Sequence, residues 1–272
     1  MFIDGQSFQV QESALIALKN LVGPEGGLFW VDAICINQED RQEKGWQVGM
    51  MKDIYSQANE VRIWLGFLDE DVTLRAIHSA TRIFNQCLQV TNDTKDLHKY
   101  LYGTDGSPGF KYSDDPLPEN CNWEALRALY SVQWFTRLWV VQEIALARKA
   151  VFHIGGQSVL ADIITLAARW MVHRRYVKHF GYSEVEGIEN ASSMYKPTLR
   201  PLSNQLRRMH RQRCADPCDR VYGLLGLLRP EVAAAIVPDY TLPLANVYGS
   251  ALRLAFEEDQ NVNILQFRLA NK

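Results

Sequence analysis

The stretch from Leu28 to Gly66, LFWVDAICINQEDRQEKGWQVGMMKDIYSQANEVRIWLG, restricts the fold of this chain more than any other. Two apolar runs, Leu28 to Val31 and Val61 to Leu65, flank a segment in which Val48, Met51, Ile54, Tyr55 and Ala58 recur at three- and four-residue steps. Short apolar runs bounded by glycine or a carboxylate read as buried strands, and the longer spacing reads as a helix with one buried face. The pattern predicts strand, polar loop, helix and strand, which together make a crossover unit of an α/β sheet. Gly26 and Gly27 introduce the first strand and Asp32 ends it, while Gly66 ends the second. Loops at the carboxyl ends of strands carry function in open α/β sheets. DAICINQED is therefore the first candidate site.

The rest of the chain is arranged around that unit. Before it, IDGQSFQV reads as a short hairpin with an Asp4-Gly5 turn, followed by a helix from Glu12 to Leu21. After it, the spacing predicts a helix over residues 69–90, and the Asp, Gly, Pro and Lys content of residues 91–120 predicts a long surface loop. Helical periodicity returns at Trp123 and fits two helices joined near Trp134 to Thr136. Val151 to Ile154 with Gly155-Gly156 reads as a strand and turn, and DIITLAARWMVHRRY as a helix. GYSEVEGIENASSMYKP reads as loop, LSNQLRRMHRQRC as a basic helix, and Asp216-Pro217 as a turn into a short apolar helix broken by Gly223 and Gly226. Pro238-Asp239-Tyr240 breaks the chain before a last helix over 244–258. The expected division is an α/β core at 1–160 and a mostly helical extension at 161–272.

Composition narrows the function. Of 272 residues, 47% are hydrophobic and 22% charged, as in ordinary globular proteins, and the net charge is -2. Such a balance gives no electrostatic reason to expect nucleic acid. The N-terminus lacks a signal-peptide pattern and no segment is long enough to span a membrane, so the expectation is a cytoplasmic protein. Neither GxGxxG, GxxxxGK[ST] nor GxSxG occurs, which disfavours dinucleotide-binding dehydrogenases, P-loop enzymes and α/β-hydrolases. The five cysteines are scattered, and Cys214 and Cys218 have no second Cys or His pair at finger spacing, so no metal site is expected. Cys35 sits among Ala33, Ile34 and Ile36 and reads as a buried, inert thiol. The basic run from Arg207 to Arg213 reads as a solvated helix face, with binding of phosphate or an acidic partner as the alternative.

FWVDAICINQED, followed by Gln47, Met50 or Met51, Ile54, Tyr55, Ala58 and VRIWLG, resembles the heart of the fungal heterokaryon incompatibility (HET) domain. WFTRLWVVQEIALARKA resembles a later block of that family, and RCADPCDRVYGLLGL with IVPDYTLPLANVY resembles the segment that follows. Members of the family begin with an aromatic-Ala-Leu-Ser-Tyr-aromatic-Trp-Gly type block, which has no counterpart in this sequence. The resemblance therefore implies a TIR- or flavodoxin-like open parallel sheet flanked by helices, with the family's first strand missing and marginal stability as the consequence.

The resemblance also implies a role: a module in non-self recognition and regulated cell death, working by self-association or contacts with other death-signalling proteins, with no cofactor required. The family is similar to TIR domains, some of which cleave the nicotinamide glycosidic bond of NAD with a glutamate in a Trp-x-x-x-Glu setting. Trp139 and Glu143 have that spacing, which makes Glu143 the candidate catalytic residue, NAD the candidate substrate, and Asp32, Asn37, Gln38 and Trp139 the candidate pocket. Residues four apart lie on one face of a helix, so an indole can wall a pocket beside a carboxylate that stabilises charge developing at a ribosyl carbon. Each residue has a structural reading as well. Glu143 can be a solvated or ion-paired helix residue, Asp32 an N-cap or Asx-turn, and Asn37 and Gln38 the groups that close their loop. A truncated, inactive relative is the remaining alternative.

Overall fold

A computed structural model describes residues 2–3, 6–7, 9–24, 26–91, 118–174, 176, 180–195 and 199–260. These divide into two compact units whose segments interleave along the chain. One unit contains 1–59, 146–148 and 198–272, and the other 60–145 and 149–197.

The first unit opens with the expected hairpin, β1 (Phe2–Ile3) antiparallel to β2 (Gln6–Ser7); its Asp4-Gly5 turn lies outside the described residues. Helix α1 (Glu12–Leu21) matches the sequence reading. Leu28 to Val31 does not form the expected strand. Leu28 is fully exposed and Phe29 is 37% exposed, and the segment runs directly into the short helix α2 (Asp32–Cys35). An extended run becomes a strand only when a neighbour takes up its backbone groups. Among the described residues no ladder includes it. Helix α3 (Arg41–Gln57) follows, starting earlier than the apolar spacing indicated because Asp40 caps it.

The C-terminal elements belong to this same unit. Helix α9 (Leu202–Arg208) packs on α12 (Leu244–Asp259), α12 also touches α10 (Asp219–Tyr222), and α3 rests against the 3-10 turn at Leu225–Leu227. A further short helix, α11 (Pro230–Ala234), starts with proline, which suits a first helical position. The contacts on α3 are specific. Lys44 Nζ lies 3.1 Å from Asp216 and 3.8 Å from the centre of the Tyr240 ring, and Arg41 donates to the Tyr240 carbonyl at 3.2 Å. Gly45 faces the Pro238 carbonyl so closely that a Cβ would stand 2.6 Å from that oxygen. The blocks around RCADPCDRVYGLLGL and VPDY are therefore part of the fold that supports α3.

The second unit is built on a three-stranded sheet in the order β3 (Val61–Gly66), β4 (Ala150–Ile154), β5 (Gln157–Leu160). β3 and β4 are parallel, with Ile63 opposite Phe152; β4 and β5 are an antiparallel hairpin, with Phe152 opposite Val159. Gly155 turns that hairpin at φ 54°. Such a left-handed backbone suits glycine, which has no Cβ to clash. The class is α/β, as expected, but the sheet is small and mixed where a wide open parallel sheet was anticipated. The Gly155-Gly156 signal reads as the end of a strand, and β5 behind it escapes the sequence reading because QSVL is too short to show alternation.

Helices α4 (Glu70–Thr91), α5 (Trp123–Tyr130), α6 (Val140–Ala145), α7 (Ala161–His173) and α8 (Tyr182–Met194) complete this unit, with a 3-10 turn at Gln133–Thr136 where a helix junction was predicted. The expected loop at 91–120 falls outside the described residues from 92 to 117. α7 lies against β4, β5, α4 and α8, and α8 packs on α5 and the 3-10 turn. Aromatic rings fill the centre, where Trp134, Phe135 and Phe152 meet at 5.1 to 5.7 Å between centroids. The buried Tyr130 hydroxyl donates to the Ile164 carbonyl at 2.7 Å.

The helix α8 corrects the loop reading of 181–197. Its Gly, Ser and Asn content argues against a helix. Gly187, Ile188, Ala191 and Met194 are nevertheless buried at helical spacing. Packing against neighbouring helices outweighs a propensity deficit of about 1 kcal/mol per glycine.

His153 adds a pH dependence to this unit. It sits half-buried in β4, and its Nε2 is buried without a hydrogen-bond partner among the described residues. Its pKa is held below the usual 6.5, first by desolvation and then by the charge of Arg62, against an opposing pull from Glu60. A folded pKa below the unfolded one means that the neutral ring stabilises the fold above about pH 6.5, and that this stability is lost as pH falls through the folded value. Urea midpoints for the wild type are expected to drop between about pH 7.5 and 5.5, and His153→Gln to reduce that drop.

Candidate functional site

The candidate residues occupy two places, one in each compact unit. In the first unit, the carbonyl of Val31 accepts from the Ile34 and Cys35 amides at 2.9 and 2.7 Å, which closes the single turn of α2. Asp32 is the first residue of that turn rather than its cap; its exposed carboxylate accepts from the Ala33 amide at 2.7 Å. Asn37 Oδ1 accepts from the Glu39 amide at 3.2 Å, and Gln38 Nε2 donates to the Asp32 carbonyl at 3.4 Å. These side chains fold the loop onto itself, as the structural reading of Asn37 and Gln38 anticipated.

Two residues the sequence reading passed over organise this loop. Asp40 Oδ1 accepts from the Gln42 and Glu43 amides at 2.9 and 3.1 Å, and Glu43 Oε1 reaches back to the Asn37 amide at 2.9 Å. This is a variant of the capping box, in which two side chains satisfy free amides at a helix start. Its signal, an Asp followed three residues later by a Glu, was present in DRQE.

Cys35 also needs correcting, because it is exposed, not buried. The α2 turn sends Ile36 into the core at 5% exposure and leaves the thiol at the surface, where its sulfur lies 3.5 Å from the Val31 amide.

In the second unit, Trp139 precedes α6 and Glu143 lies one turn along it, the Glu143 amide donating to the Trp139 carbonyl at 3.4 Å. Val140, Val141, Gln142 and Ile144 are buried, whereas Trp139 and Glu143 are both half-buried on the remaining stripe of the helix. Trp139 and Glu143 are thus joined by a backbone hydrogen bond one turn apart, with Trp139 just ahead of the helix. Asp32, Asn37 and Gln38 belong to the other unit.

No group of three or more His, Cys, Asp or Glu among the described residues is placed to hold a metal. Burial and the nearby Asp216 carboxylate raise the Cys218 thiol to about 11, and burial raises Cys214. Neither is a ready thiolate ligand. No helix among the described residues is long and apolar enough to cross a membrane.

The family profile described as "Heterokaryon incompatibility protein (HET)" matches residues 1–143, more than half of the chain. The chain belongs to the HET family. It is also 27% identical over 278 aligned residues to "Heterokaryon incompatibility protein 6, OR allele" of Neurospora crassa, an alignment that takes in 86% of this chain and 39% of that protein. The HET chain thus spans well under half the length of this relative. No solved structure matches it. The matched stretch contains all five candidate residues and ends at Glu143, while the segment from 198 that packs on α3 lies beyond it.

Proposed function

We propose that this HET chain is a module of fungal non-self recognition that sets off regulated cell death in heterokaryon incompatibility, through self-association and contacts with other death-signalling proteins in the cytoplasm. The observation that carries the reading is the HET match over residues 1–143, joined to likeness along most of the chain to a protein named for heterokaryon incompatibility. The loop geometry favours a version without catalysis, because the side chains of Asp32, Asn37 and Gln38 make hydrogen bonds within their own loop.

One observation favours a second reading as an NAD glycohydrolase: Trp139, just ahead of α6, and Glu143, one turn along, are both half-buried. A carboxylate beside an indole, partly shielded from water, suits the stabilisation of an oxocarbenium-like ribosyl centre. Purified full chain, including cross-linked oligomers, is expected to leave NAD intact in a chromatographic assay, and Glu143→Ala to arrest growth in a fungal host as the wild type does. NAD loss that Glu143→Gln abolishes with an unchanged melting curve would replace the first reading with the second. A chain that neither arrests growth nor consumes NAD is the inactive relative.

A further inference from the structure

The basic run at residues 207–213, RRMHRQR, is not the helix face that its composition predicts. Helix α9 stops at Arg208, and the chain continues as a turn that ends in a strand-like residue, Arg213. The Met209 amide donates to the Gln205 carbonyl at 3.0 Å and the Gln212 amide to the Met209 carbonyl at 3.2 Å, while His210 Nδ1 lies 2.7 Å from the Arg207 carbonyl. Arg220, on α10, holds the turn from beneath: its Nη1 donates to the carbonyls of Met209, His210 and Gln212 at 3.4, 2.7 and 2.6 Å. Gln212 is buried, whereas Arg211 and Arg213 on either side of it are exposed, as is Arg207. That alternation is the pattern of an extended chain, in which residues i and i+2 share a face, so Arg211 and Arg213 project on one side about 6 to 7 Å apart.

We propose that this loop docks a phosphorylated segment of a partner protein, with the guanidinium groups of Arg207, Arg211 and Arg213 holding the phosphate. Uncompensated charge is the first argument. Four arginines and a histidine fall within seven residues that hold no acid. The carboxylates that follow are engaged elsewhere: Asp216 pairs with Lys44 and accepts from the Cys218 amide, and Asp219 accepts from the Tyr240 hydroxyl. Those at the end of α12 are engaged too, Glu258 with Arg229 and Asp259 with Ser203. Among the described residues Arg207 and Arg213 form no ion pair. A helix C-terminus repels anions through its free carbonyls. Arg220 takes up the Met209 carbonyl just past α9 and sets a further positive charge under the loop.

Chemistry is the second argument and selects the ligand. Every permanent cation of the loop is arginine, whose planar fork pairs two donors with two phosphate oxygens, whereas lysine offers a point charge. Outside the loop the chain is net acidic, since its total charge is -2 with these four arginines included. An extended polyanion such as nucleic acid, or the face of an anionic bilayer, meets that acidic surrounding as well, and no Phe, Tyr or Trp stands in the loop to stack on a base. A compact phosphate ester meets only the arginines. The exposed side chains project outward, whereas small-molecule sites are concave and enclose their ligand. A phosphorylated side chain carried on a protein segment needs no enclosure. The proposal gives a chemistry to the partner contacts in the function stated above and rests on that reading for its setting.

Fluorescence anisotropy on the full chain at about 50 mM salt, where screening is weak, tests this. The probe is a labelled glycine-serine peptide carrying one phosphoserine, beside its unphosphorylated form. The expected result is saturable binding of the phosphopeptide alone, with a dissociation constant on the order of 100 μM. Arg207→Gln and Arg213→Gln are each expected to weaken it about tenfold with a superimposable melting curve, since both side chains are exposed. Arg213→Lys, which keeps the charge and loses the fork, is expected to weaken it several-fold. Lys52→Gln, an equal loss of charge at an exposed position on α3, is expected to change nothing. Equal binding of the two peptides, a Lys52→Gln effect as large as that of Arg213→Gln, or full affinity in Arg213→Lys would each overturn the proposal. So would flotation of the chain with vesicles containing phosphatidylinositol bisphosphate in place of phosphopeptide binding. If Arg213→Gln loses the phosphopeptide yet arrests growth in the fungal host as the wild type does, the site stands and its partner is removed from the functional reading.

Discussion

Gly187→Ala is expected to destabilise the second unit by about 3 kcal/mol or more, because the added methyl has nowhere to go. A Cβ at this position would lie 1.9 Å from the Tyr130 carbonyl oxygen and 3.0 Å from its carbon, far inside van der Waals contact. The obstructing atoms are backbone at the end of α5, and α5 is fixed in turn by the buried Tyr130 ring and its hydroxyl bond to Ile164. Relief requires α8 to move away from α5, and α8 is a helix whose Ile188 and Ala191 are fully buried. A urea titration read by far-UV circular dichroism is the measurement, and a midpoint within error of the wild type would refute the close crossing. Gly249→Ala, on α12 with nothing among the described residues within 4 Å of its Cβ position, is the control. It is expected to be neutral or slightly stabilising through helix propensity.

Tyr240→Ala is expected to cost the first unit about 3 to 5 kcal/mol, the range for removing a buried aromatic side chain. The ring is 4% exposed, lies 5.2 Å from Tyr222 edge to face, and carries Lys44 3.8 Å above it. Its hydroxyl donates to the Asp219 carboxylate at 2.6 Å, and burial followed by the Asp219 charge holds the phenol protonated far above its usual range, so it remains a donor. Tyr240→Phe separates the two contributions. It keeps the ring and removes one hydrogen bond from a buried carboxylate, with an expected loss of about 1.5 to 3 kcal/mol. Hydrogen exchange localises the effect: faster exchange of α3 amides in both variants, greater in Tyr240→Ala, is the expected pattern. Unchanged α3 protection would mean that Tyr240 does not brace that helix.

Both predictions concern residues that the sequence displayed without their meaning. Gly187 sat in a stretch read as loop, because glycine, serine and asparagine are poor helix formers and the burial that compensates is a property of neighbouring helices. Tyr240 sat in a block read as a break near the start of a last helix, and its role depends on a helix far earlier in the chain. Contacts at that separation leave no local periodicity to read. Leu28 to Val31 shows the opposite error. Its composition satisfied every local rule for a strand, but a ladder needs a second strand, and local composition is silent about whether one is adjacent.

What the sequence by itself determined is the set of elements whose signal is local. The helices at 12–21 and 70–91, the strands at 61–66 and 150–154 and the helix at 244–259 came from apolar spacing, caps and glycine punctuation. The HET membership was legible in the motif blocks, and the one-turn separation of Trp139 and Glu143 followed from a spacing of four. Only the tertiary structure decided how the segments divide into units, that α3 is braced by residues 202–260, that Cys35 faces water, and that Asp32, Asn37 and Gln38 belong to a different unit from Glu143. Those outcomes turn on which distant surfaces bury one another, a free-energy balance summed over the whole chain and carried by no single stretch of it.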